Sequence, residues 1–123
     1  MHNLLVVTAV LEGATGLVLV TLPSRLATLL LGSTLDEPAA LTLARVAGVA
    51  LAALAVTCWL ARHEGQSRAA RGLVRAMVLY HTGVAIVLAY ASVALSLSGM
   101  GLWPTVTFHG AMTVWCLTTL RQR

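Results

Sequence analysis

The sequence predicts an all-α membrane protein: a four-helix transmembrane bundle with a short amphipathic interfacial helix between helices 1 and 2. Three observations predict it. The chain of 123 residues is 59% hydrophobic and only 10% charged, whereas soluble domains carry about 25% charged residues. Four segments have the ~20 mostly apolar residues that a membrane-crossing helix needs. The charges gather at the ends of those segments. The same apolar content excludes a disordered chain, and the length leaves room for a single four-span domain over 1–123.

The first span runs over about 4–22 and is interrupted by Glu12. It has no positive leading region and carries that carboxylate inside, so it does not fit a signal peptide. Leu26, Leu29 and Leu30 then recur at helical spacing after Pro23-Ser24, with Gly32 to end the turn. This pattern predicts a short helix over 24–31 lying on the outer membrane surface. Thr34-Leu35-Asp36-Glu37 before Pro38 has the spacing of a capping box. It precedes the second span, about 39–61, which contains Arg45. The third span, about 72–97, has Arg75 at its start and Tyr80 and His81 inside. The fourth, about 102–120, opens on Trp103-Pro104, where proline is tolerated in the first turn, and contains His109.

All eight basic residues are arginine, and six of them lie in the loop between the second and third spans, just beyond it, or at the C-terminus. The positive-inside rule then puts both termini in the cytoplasm of a bacterial-type inner membrane. Such a charge pattern, with no basic stripe interleaved with aromatics, excludes a nucleic-acid partner. The lipid bilayer is the expected partner, with a homo-oligomer or larger membrane complex as a further option. Cys58 and Cys116 lie in apolar runs, form no CxxC motif and are expected as buried small side chains. Small residues at helical spacing (Ala44, Gly48 and Ala52; Gly13 and Gly16; Gly83 and Gly110) predict close helix contacts.

Ionisable groups inside a membrane face the bundle interior and find partners. Counting from the outer loops at about 1.5 Å per residue puts Glu12, Arg45, Tyr90 and His109 in one layer of the outer half, one from each helix. Two readings follow. The layer is a buried network that fixes helix register, or a ligand-binding or proton-relay pocket for an anionic or amphiphilic small molecule. A Glu12–Arg45 ion pair is expected in either. Tyr80 and His81 form a secondary candidate nearer the membrane middle, with His81 roughly 13 Å in depth from His109 by the same rise. That spacing argues against one haem held by both histidines. A haem held by one of them, with Met77 or Met112 available, or a quinone, stays open. His2 and His63 read as solvated. No metal-ligand cluster is present, and no nucleophile elbow, P-loop or dinucleotide fingerprint points to catalysis. The chain therefore reads as a non-enzymatic accessory or small-ligand-binding subunit.

Gly13-Ala14-Thr15-Gly16-Leu17, then Pro23 with its leucine-rich turn, Gly32, and Ala44-Arg45-Val46-Ala47-Gly48 resemble the DoxX-like group of small four-helix membrane proteins, over about half of the chain. The resemblance implies the four-helix bundle and a glycine-bearing first helix. The group includes accessory subunits of membrane redox enzymes, so it implies little about activity. Glu12 followed by Gly16 is also similar to the first helix of small multidrug-resistance transporters, which implies a proton-coupled exporter of small cations as an alternative. The departures from that family are Arg45 at the matching depth, only 5% aromatic residues and a strong charge asymmetry. Small fluoride channels share the size but need membrane phenylalanines, and Phe108 is the one phenylalanine here.

Overall fold

The computed structural model describes residues 1–122, and among them it is entirely helical: α1 (His2–Thr21), α2 (Pro23–Leu31), α3 (Pro38–Ala61), α4 (Arg68–Leu95) and α5 (Leu102–Arg121). All five predicted helices are present close to their expected bounds. Three of them, α1, α3 and α4, are long and apolar enough to cross a membrane. The sequence reading counted four such segments. α5 has the length, but its five threonines and His109 are spread along it, so it has no stretch as apolar as those of the other three.

Helix ends follow local chemistry. Pro38 starts α3 at its first helical position, where its missing N–H is no loss. The expected capping box does not form there, because Glu37 is the N-cap without a side-chain bond and Thr34 Oγ1 donates instead to Asp36 Oδ2 at 2.7 Å. Ser67 caps α4 by accepting from the Ala70 N–H at 3.1 Å.

The helices pair α1 with α3 and α4 with α5. At the α1–α3 seam a Cβ on Gly16 would sit 2.7 Å from the Gly48 carbonyl oxygen, and one on Gly48 would meet the Gly16 oxygen at the same distance. Only glycine lets the two backbones come this close. Gly83 and Gly110, expected at such contacts, face open space.

The four long helices differ in length: 20 residues in α1 and α5, 24 in α3 and 28 in α4. Their ends match at the arginine-rich end, where Arg71 reaches the Leu120 carbonyl at 3.1 Å. At the opposite end α3 and α4 therefore stand about one to two turns beyond α1 and α5. α2 fills this step, in contact with α1, α3 and α5. The Leu29, Leu30 and Leu31 carbonyls at its C-terminal end accept from the N–H groups of Gly101, Gly99 and Ser98 at 2.9, 3.2 and 3.2 Å. At its start, Ser24 Oγ donates to the Leu35 carbonyl at 2.8 Å and accepts from its N–H at 3.0 Å. Gly99 has no space for a side chain against Leu29 and Leu30.

The interior between the two helix pairs is filled in the arginine-rich half. There Leu4, Leu5, Cys58, Val74, Met77, Met112 and Cys116 form one buried cluster. Both cysteines are free and fully enclosed, as expected, and Cys58 Sγ lies 3.8 Å from Met77 Sδ. The half beneath α2 is hollow.

Candidate ligand site

Tyr80 and His81 are neighbours on α4, so their side chains leave the helix about 100° apart. Tyr80 turns toward α1, where its hydroxyl donates to Glu12 Oε2 at 2.7 Å. His81 turns toward α5, where its Nδ1 lies 2.8 Å from His109 Nδ1. The Tyr80 and His109 rings meet edge to face at 5.7 Å, which joins the two pairs into one cluster. Glu12, His81 and His109 are all buried. A burial of this kind is tolerated in an apolar bundle because each group has a polar partner.

Two buried atoms escape that rule. His81 Nε2 is enclosed and has no hydrogen-bond partner among the described residues; Thr8 Oγ1 is the other such atom. Below the cluster, Thr82 and Thr113 hydroxyls approach at 3.4 Å, and Thr113 also donates to the His109 carbonyl at 2.9 Å.

Above the cluster lies the hollow half of the bundle, a cavity of ≈ 820 Å³ reached by all five helices. Its walls are mostly apolar, from residues such as Leu19, Leu51, Leu88 and Phe108; Leu26 and Leu30 of α2 roof it. Glu12, Tyr80 and His109 form its polar floor. This volume is within the range of small-molecule sites, which are mostly apolar with a few converging polar groups.

The structure brings together only two of the four residues expected in one layer. Arg45 is exposed, and its Nε donates to the Val20 carbonyl at 3.3 Å, near the end of α1 and two turns beyond Glu12. Glu12 pairs with Tyr80 and not with Arg45. Tyr90 is 62% exposed, on the part of α4 that stands clear of α1 and α5. The reason is the step in helix lengths: depths counted from the loops assume level ends, and the ends of α3 and α4 are not level with those of α1 and α5. The same offset corrects the separation of the histidines. His81 and His109 are in direct contact, Nδ1 to Nδ1 at 2.8 Å, so the expected depth gap between them, and the objection to a shared haem that rests on it, do not hold.

His2 and His63 are exposed as expected, stacked at 5.0 Å near the arginine-rich end. Among the described residues no three His, Cys, Asp or Glu side chains gather as a metal site. Compared with family models, curated proteins and solved structures, the chain matches none.

Proposed function

We propose that this chain is a four-span integral membrane protein that binds a small amphiphile in the cavity beneath α2. It acts as a binding or accessory subunit without chemistry of its own. One observation carries this: a cavity of ≈ 820 Å³ with mostly apolar walls that include Thr15 and Thr105, and a polar floor of Glu12, Tyr80 and His109. A hydrocarbon tail matches the walls, and a hydrogen-bonding head matches the floor.

α5 serves as the fourth span. Its polarity suits a lipid setting because four of its polar side chains have partners. His109 and Thr113 face α4, and the Thr107 and Thr118 hydroxyls return to carbonyls of their own helix. Val114, Trp115 and Leu117 face outward. The arginine-rich end, with both termini, lies in the cytoplasm of a bacterial-type inner membrane, and α2 rests at the outer surface. The DoxX-like resemblance agrees with this arrangement.

Native mass spectrometry after gentle purification tests the reading. The expected result is a bound amphiphile of defined mass that is lost in Leu51→Trp, which fills the cavity, and in His109→Leu. Protein at bare mass that also takes up no added alkyl amphiphile contradicts it.

A further inference from the structure

We infer that His81 is a positioning residue that turns His109 into a hydrogen-bond donor at the cavity floor, so that the site favours heads carrying an acceptor and a donor together, such as a hydroxyl or a carboxamide, over heads that lack the donor. The inference deepens the amphiphile-binding reading and rests on it for the ligand.

The contact between the rings is nitrogen to nitrogen, Nδ1 to Nδ1 at 2.8 Å. Such a bond holds one proton, so one ring donates and the other accepts. Each neutral ring then carries its second proton state at the far nitrogen. Two arrangements are possible. If His109 donates, its Nε2 is a bare acceptor at the cavity, and His81 Nε2 carries an N–H. That N–H would be fully enclosed without a partner, because His81 is 0% exposed and its Nε2 is unpartnered. If His81 donates, the enclosed atom is only a lone pair, and His109 Nε2 carries an N–H toward the cavity. Orphaned buried N–H groups are the rarer kind, so the second arrangement is favoured.

The floor itself gives a second, independent argument. Glu12 is an acceptor, and the Tyr80 hydroxyl proton is already committed to its Oε2. A bare His109 Nε2 would add another acceptor beside these oxygens. An N–H there complements them. The floor thus sets a donor, His109 Nε2–H, beside an acceptor, the remaining Glu12 oxygen, which has no partner in the protein among the described residues, while the Thr15 and Thr105 hydroxyls line the cavity elsewhere. A hydroxyl or carboxamide satisfies both. An anionic head meets the Glu12 carboxyl with no cation to offset it, since Arg45 is held at Val20 and does not line the cavity. An ester lacks the donor.

The test has two arms, both on the full chain in lipid nanodiscs. The first is ¹⁵N NMR of the histidine-labelled, ligand-free protein. We expect coupling across the Nδ1–Nδ1 bond and a proton on His109 Nε2; a proton on His109 Nδ1 overturns the inference. The second compares 1-dodecanol and dodecanamide with methyl dodecanoate and dodecane. We expect the first two to bind about ten-fold tighter, the effect of one charge-assisted hydrogen bond. In His81→Leu no donor faces His109 Nδ1, so both His109 tautomers should appear in the ¹⁵N spectrum, and His81→Asn, which keeps an N–H facing His109 Nδ1, should keep the single Nε2–H form. A single Nε2–H form that survives His81→Leu overturns the positioning role, and the wild-type spectrum decides the donor even where that variant folds poorly. If wild-type protein binds none of the four probes, the amphiphile reading and the head selection fall together, while the NMR result still decides what His81 does to His109.

Discussion

The two helix seams of this bundle are built by opposite means. Between α1 and α3 the backbones touch, because Gly16 and Gly48 leave no side chain between them. Between α4 and α5 the glycines, Gly83 and Gly110, face open space, and polar side chains bridge the gap: His81 to His109, Thr82 to Thr113, Arg71 to the Leu120 carbonyl. On the proposed four-span arrangement no hydrophobic force pulls the helices together in lipid, so association depends on close packing or on interhelical hydrogen bonds. This chain uses one for each pair. The tight seam has no space for a ligand. The polar seam supplies His109 to the cavity floor, and Tyr80 of α4 connects that floor to Glu12 of the tight pair.

The contrast can be broken by mutation. Gly16→Leu places a side chain into the Gly48 backbone and should have the largest effect, a loss on the order of 3 kcal/mol or failure to fold, since overpacking against backbone has no cheap relief. Reversible unfolding in mixed micelles would measure it. Gly83→Leu, on the open glycine of the other seam, should shift stability by no more than about 0.5 kcal/mol. An equal loss in both variants would show that the seams do not differ.

His109→Leu should be intermediate. It leaves His81 Nδ1 without its partner inside the bundle, which costs about 1–3 kcal/mol. Replacing both histidines by leucine should recover part of that loss, and a double-mutant cycle measures the recovery. Tyr80→Phe removes only the hydroxyl that holds Glu12. It should lower stability by about 1 kcal/mol and weaken amphiphile binding by up to ten-fold in a calorimetric titration. The smallest effects belong to the residues outside the cavity. Arg45→Ala and Tyr90→Phe should leave binding within about two-fold, well below the ten-fold that 1.4 kcal/mol represents. A large loss from Arg45→Ala would restore an anionic head group.

Helix existence was legible from apolar runs and terminal signals, down to the short α2 after Pro23. The glycine contact of α1 with α3 was legible too, since small-residue spacing has a direct steric meaning. The site was legible in part. Glu12, His109, Tyr80 and His81 stand out as polar groups in apolar runs, but their grouping did not follow from depth counting. Depth is a property of where helix ends lie relative to each other, and the 28 residues of α4 against 20 in α1 and α5 shift it by more than a turn. Arg45 and Tyr90 were drawn into the layer by that shift. The Glu12–Tyr80 pair carries no local signal, being made by helices 68 positions apart in the chain.

The central claim is that the hollow half of the bundle holds an amphiphile with its head on Glu12, Tyr80 and His109. Photo-crosslinking with a diazirine-bearing alkyl amide tests it most directly. The account predicts label on Leu26, Leu30 and Leu88, which line the cavity, and its loss in Leu51→Trp. Label confined to outward-facing positions such as Leu79 and Val93, unchanged by Leu51→Trp, would contradict it.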